Sequence, residues 1–179
     1  MLYAFGFERI GVVIGDLYFV DPDPEHHNDK PERGVRLEVR MLEQGELRGN
    51  FYSARPIEIG RPVWRADLLE TADGPPGSLN RAHHHPAFEG WNPGRRNYDP
   101  EMKASPVRWV GEALGNLEGL LQQAGVAPDE ALAADAVSLR ECVPEIMATV
   151  GRLLEKVKAG ELALAPAGDQ PSAARISWL

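Results

Sequence analysis

Residues 35–40 read VRLEVR. Val35, Leu37 and Val39 alternate with Arg36, Glu38 and Arg40, the period-two pattern of a strand with one face buried. Glu43-Gln44-Gly45-Glu46 turns the chain after it. Upstream, Tyr3, Phe5 and Phe7 alternate with Ala4 and Gly6 in the same way. Two short apolar runs, IGVVI (10–14) and LYFV (17–20), are separated by Gly15-Asp16, which reads as a hairpin turn. A polar, proline-rich loop fills 21–34. Downstream, 55–60 and 62–70 give two further extended runs, broken at Gly60-Arg61-Pro62. Residues 1–72 are thus read as strands.

The pattern then changes period. Ser105-Pro106 is an N-cap followed by proline at the first helical position. Val107, Val110, Leu114, Leu117 and Leu121 recur at helical spacing up to Gly125. Pro128-Asp129-Glu130 opens a further helix, which Pro144 should kink or restart. Ile146, Val150, Leu153, Leu154 and Val157 continue an apolar stripe to Gly160. Residues 160–179 are read as a tail, with a last strand at 176–179. Strands followed by helices, without βαβ alternation, predict one α+β domain over 1–179. Its mostly antiparallel sheet of five or six strands has two or three helices, from 105–159, on one face.

Between the halves, 73–104 has no regular period and holds five of the fifteen prolines. A loop this long inside a compact domain is commonly functional. Phe88, Trp91 and Tyr98 can anchor it, and Asp99-Pro100-Glu101 can cap a single helical turn.

The chain carries a net charge of −8, which argues against general nucleic-acid binding. Charge is uneven, however. Residues 79–108 carry five basic and three acidic side chains, the one net-positive stretch, where an anionic small ligand could be drawn. There is no apolar run of 18 residues and no signal-peptide pattern. The single cysteine, Cys142, lies in an apolar helical pattern and reads as a buried structural thiol. A cytosolic protein fits these features. A homodimer through a helix or an edge strand is open.

Three of the five histidines are consecutive, in NRAHHHPAFEGW (80–91). If this stretch is extended, Arg81, His83 and His85 share one face and His84 points to the other. His83 and His85 could hold one divalent metal, with a third ligand from Asp67, Glu70, Asp73 or Asp99. Without a metal, one of them could act as a general base that Asp67 orients. A polar loop whose histidines bond only to backbone is equally open. In VWRADLLE (63–70), Arg65 and Asp67 share the outer face and Trp64, Ala66 and Leu68 the core face. Such a pair is usually a surface ion pair, but here its strand leads into the histidine loop, so Arg65 could hold an anionic group. In GWNPGRRNYDPEM (90–102), Arg95, Arg96 and Tyr98 could bind a carboxylate or phosphate beside Trp91. His26-His27 sits in the polar loop and is read as inert. Ser53 and Ser78 lack a nucleophile-elbow context, and there is no phosphate-binding glycine loop.

RADL, RAHHHP and YDPEM, within 63–109, resemble the central part of a family of small bacterial proteins of unknown function. The resemblance spans about a quarter of the chain and implies no activity. The Arg-x-Asp strand and nearby histidine loop are also similar to those of small toxin ribonucleases of toxin–antitoxin modules. The acidic composition and the long helical half depart from that pattern. The sequence therefore leaves a hydrolase-type enzyme using His83, His85 and Asp67 as catalytic groups, with Arg65, Arg81, Arg95, Tyr98 and Trp91 around an anionic substrate. The alternatives are a non-catalytic ligand- or protein-binding protein and a toxin-like ribonuclease.

Overall fold

The computed structural model describes residues 1–20, 30–54, 56–165 and 175–176. Strands β1 (Leu2–Gly6), β2 (Ile10–Phe19), β3 (Glu32–Gln44), β4 (Ile57–Thr71) and β5 (His83–His85) pair in sequence order, each antiparallel to the next. A two-residue strand, β6 (Arg175–Ile176), pairs with β2 at Leu17 and Tyr18, beyond the end of β1. Helices α1 (Pro100–Ala104), α2 (Pro106–Gly115), α3 (Leu117–Gln123) and α4 (Glu130–Lys158) follow β5. The arrangement is α+β, as the change of period from two to 3.6 predicts. Among the described residues no helix is long and apolar enough to cross a membrane.

The core lies between one face of the sheet and the helices. Ile10, Val12 and Ile14 of β2, Val35, Leu37 and Val39 of β3, and Trp64, Ala66 and Leu68 of β4 point into it. They meet Val110 and Leu114 of α2, Leu117 of α3, and Leu139, Ile146, Val150 and Leu153 of α4. Asp129 starts α4 by accepting a hydrogen bond from the Leu132 amide at 2.8 Å, and Lys156 and Lys158 sit in its last turn. Asp135, buried on α4, accepts from the backbone amides of Glu8 (2.9 Å), Arg9 (2.8 Å) and Ile10 (3.0 Å). One carboxylate thereby ties the β1–β2 turn to the longest helix.

Several local expectations are corrected. Gly15-Asp16 makes no turn: β2 runs unbroken through it, with Gly15 opposite Arg36 and Asp16 opposite Val35. Asp16 instead accepts from the Ala163 amide at 2.9 Å. Gly60-Arg61-Pro62 does not divide two strands either; β4 is one strand whose register with β3 shifts at Arg40, beside Pro62. Proline has no N–H for the ladder, so an irregularity there lets the strand continue. The helix expected to run from 106 to about 124 breaks at Asn116, whose side chain accepts from the Gly119 amide. Ser105 precedes Pro106 as expected, but its side chain makes no capping bond. Pro144 does not interrupt α4. It and Arg140, whose carbonyl it leaves without an amide, both face solvent, where water can take the missing bond. Cys142 is free and half-buried. His26, His27 and the expected strand residues 177–179 lie outside the described residues.

The segment 73–104 is less irregular than its sequence. It contributes β5 at the sheet edge and the helical turn α1, where Asp99 accepts from the Glu101 amide at 2.7 Å. Beyond β5 it doubles back, and Asn97 pairs with His84 through both backbone groups, at 3.0 and 2.9 Å. The same segment lays Phe88, Trp91 and Tyr98 against Arg65, Arg40 and Arg81, beside the second face of the sheet.

Candidate metal centre

The register of β3, β4 and β5 sets Arg36 opposite Asp67 and Asp67 opposite His83. Two residues along, Glu38 faces Arg65 and Arg65 faces His85. Strand alternation points all six side chains away from the helices. Asp67 (1% exposed), His83 (1%) and His85 (5%) are buried there, which decides that they form an enclosed cluster and not a surface patch.

The cluster has a definite polarity. His83 Nδ1 lies 2.8 Å from the Arg81 carbonyl and His85 Nδ1 3.0 Å from the Pro93 carbonyl. A carbonyl only accepts, so each Nδ1 carries a hydrogen, which leaves Nε2 of each ring as the atom that can ligate a metal. Both Nε2 atoms face the same carboxylate oxygen, Asp67 Oδ2, at 3.4 and 3.5 Å. These separations exceed the usual N–H···O range of about 2.7–3.2 Å. They match the roughly 3.4 Å between donors of a tetrahedral ion bound at about 2.1 Å. One ligand atom from each of the three residues lies within 4.8 Å of the others.

Arg36 holds the carboxylate from the other side, with Nε on Oδ1 at 2.6 Å and Nη2 on Oδ2 at 3.2 Å. Burial alone would raise the Asp67 carboxyl pKa. The charge of Arg36, aided by His83 and His85, outweighs burial and holds it well below the ordinary carboxylate range. Backbone carbonyls on the far nitrogens and a guanidinium on the carboxylate are the kind of outer contacts that orient metal ligands.

Further charges surround the centre. Arg65 donates to Glu38 at 2.7 Å and Arg40 to the same carboxylate at 2.6 Å. Burial lowers the Arg65 pKa, with the neighbouring charge of Arg36 acting the same way. Glu32 accepts from Arg81 at 2.6 Å and from Arg96 at 2.7 and 3.0 Å. Burial opposes the charge on Arg96, but the bonds to Glu32 prevail and raise its pKa. The aromatic anchors lie on these cations: Phe88 against Arg65 (5.1 Å), Trp91 against Arg40 (5.6 Å) and Tyr98 against Arg81 (5.9 Å). Tyr98 also lies 5.5 Å from the His83 ring.

The structure thus brings Asp67, His83 and His85 together, with Arg65, Arg81 and Tyr98 around them. The expected Arg65–Asp67 surface pair is corrected: Arg65 pairs with Glu38, Asp67 with Arg36, and both carboxylates are buried. Residues i and i+2 of one strand share a face, but the nearer partner comes from the adjacent strand. Arg95 is exposed and makes no ion pair among the described residues, and Arg96 takes the place expected for it. Trp91 is 65% exposed over Arg40 and walls no pocket at the histidines. Of the other proposed third ligands, Glu70 lies on the helix side with Arg33, Asp73 is exposed with Lys30, and Asp99 caps α1. Sequence reasoning missed Arg36, Glu38 and Glu32. Their signal was charge at every second position of β3, matching 65/67 and 81/83/85. No family model, curated protein or solved structure matches this chain.

Proposed function

We propose that Asp67, His83 and His85 hold a divalent transition metal and that the protein is a metal-dependent hydrolase acting on an anionic substrate. The observation that carries this reading is the convergence of two Nε2 atoms on one carboxylate oxygen, with each Nδ1 hydrogen committed to a carbonyl. A cation at their centre would take the Nε2 lone pair of each imidazole and balance the carboxylate charge. Two histidines and one carboxylate suit zinc or iron(II), and three protein ligands leave a position open for water or substrate. An ion there would supply Lewis acidity and ease deprotonation of water near neutral pH.

Among the described residues, five arginines (36, 40, 65, 81, 96) form ion pairs here with three carboxylates (32, 38, 67), so the paired side chains of the network carry two more positive charges than negative ones. That excess favours a phosphate- or carboxylate-bearing substrate. Arg65 and Arg81, the half-buried members nearest His85 and His83 in register and sequence, would contact it, and Tyr98 would close over it. Because the ligands are buried, substrate entry requires 86–98 to lift. A lone free cysteine accords with a reducing compartment such as the cytosol.

The test is hydrolysis of bis-p-nitrophenyl phosphate, p-nitrophenyl phosphate and p-nitrophenyl succinate by protein stripped and reloaded with zinc, manganese or iron(II). Turnover that requires one of these ions and disappears in His85→Ala is expected. No turnover of any substrate with any ion would remove the hydrolase reading.

A further inference from the structure

The opposite side of β5 holds a second feature, on the helix face of the sheet and separate from the metal centre. His84 points there, 6% exposed, and neither Nδ1 nor Nε2 has a hydrogen-bond partner. Trp64 is fully buried on the neighbouring strand and its indole N–H is equally unpartnered. These three atoms are the only buried side-chain nitrogens or oxygens without a partner among the described residues. An unmet buried polar group costs about 1–3 kcal/mol, so three at one place call for an explanation.

All three belong to residues lining a single cleft of about 460 Å³ between β4, β5 and the helices α1 to α3. That volume is within the range of small-molecule sites, roughly 300–1,000 Å³. Trp109 forms an aromatic wall, its ring 6.2 Å from Trp64 and 4.7 Å from His84. Asp99, Glu101 and Glu112 line the cleft, and among the described residues no lysine or arginine does; Glu112 pairs outside it with Arg108 at 2.9 Å, so Asp99 and Glu101 contribute most of its acid charge. The acid groups favour a cation, the aromatic wall favours a flat or apolar body, and the indole N–H demands an acceptor. A metal ion is disfavoured: among the described residues the one group with metal-ligand spacing is that of Asp67, His83 and His85.

We propose that this cleft binds a small organic cation, an amine with a flat body and an amide-like carbonyl. The ammonium group lies toward Asp99, Glu101 and Glu112. The body packs on Trp109, and the carbonyl end is directed inward toward the Trp64 and His84 rings, whose closed nitrogens a small shift of His84 would bring within reach.

The probe is 4-(aminomethyl)benzamide, titrated into the full chain in the presence of EDTA and followed by the indole N–H resonances in ¹H–¹⁵N spectra. Trp64→Phe, Trp91→Phe and Trp109→Phe assign the three relevant signals among the four tryptophans. The Trp64 and Trp109 signals should shift saturably while that of Trp91, on the other face, stays fixed. The neutral isostere 4-(hydroxymethyl)benzamide should bind at least tenfold more weakly. Glu101→Gln/Glu112→Gln, both on the exposed rim, should weaken the amine at least fivefold with an otherwise unchanged spectrum. No saturable shift up to 20 mM, a shift of Trp91 equal to that of Trp64, or equal binding of the neutral isostere would each overturn the proposal. EDTA keeps this result separate from the metal reading, whose failure would leave it untouched.

Discussion

Arg36 and Asp67 face each other from adjacent strands and pair through two hydrogen bonds of 2.6 and 3.2 Å, both side chains almost wholly buried. This contact makes a buried carboxylate tolerable in a sheet face that also holds two imidazoles. Removing one partner of such a pair costs more than the pair itself contributes, because the other charge stays behind unpaired. Arg36→Met should therefore destabilise metal-free protein by roughly 3–5 kcal/mol in denaturant unfolding. The pH dependence has a definite sign. The Asp67 pKa is depressed in the folded state, so its stabilisation is present above the unfolded value of about 3.9 and is lost as pH falls through the folded one. The wild-type chain should lose this contribution only in strong acid, whereas Arg36→Met should lack it at neutral pH. Equal stability of the two proteins from pH 7 to pH 3 would contradict the pairing.

Asp135 makes a separate prediction, far from the site. Its carboxylate is the acceptor for three consecutive backbone amides, Glu8 to Ile10. Asp135→Ala leaves them without that acceptor and should cost at least about 2 kcal/mol, since bonds to a charged group contribute about 1.5–3 kcal/mol each and water can replace some. Asp135→Asn, which keeps one acceptor oxygen, should recover part of the loss. A change below half a kcal/mol in Asp135→Ala would show that the turn does not depend on the helix.

Glu32 tests how the covering segment is held. Arg81 and Arg96 both end on its carboxylate, and Arg96 lies in the stretch that crosses the site. Glu32→Gln weakens both bonds and leaves two arginines facing each other. Amide exchange at Asn97 and His84, which pair across the segment, should accelerate at least tenfold, while exchange in α4 stays nearly unchanged. Uniform acceleration through the whole chain would mean a global loss of stability instead of a loosened cover.

Much of this was legible in the sequence because it depends on parity alone. The alternation in VRLEVR placed β3, and the shared face of Arg81, His83 and His85 follows from a period of two. What parity leaves open is register. That Arg36 lies opposite Asp67, and Glu38 opposite Arg65, depends on how β3 and β4 slide past each other, including the shift at Arg40 beside Pro62. Single residues misled where tertiary packing overrides local preference. Gly15-Asp16 looks like a turn but lies mid-strand, because β3 pairs along the whole of β2. The same limit applies to Arg95 and Arg96: composition marks a basic loop, while only the folded chain brings Glu32 to one of the two.

The central claim is that Asp67, His83 and His85 bind one divalent ion together. Cobalt(II) titration of the EDTA-stripped, dialysed protein tests it directly through visible absorption. One equivalent should bind with intense d–d bands of low-symmetry four- or five-coordinate cobalt, and zinc should displace it. The bands should vanish in His83→Ala, His85→Ala and Asp67→Asn, provided each still unfolds cooperatively, but persist in His84→Gln. A spectrum no different from aqueous cobalt, or bands that survive the loss of both His83 and His85, would contradict the account.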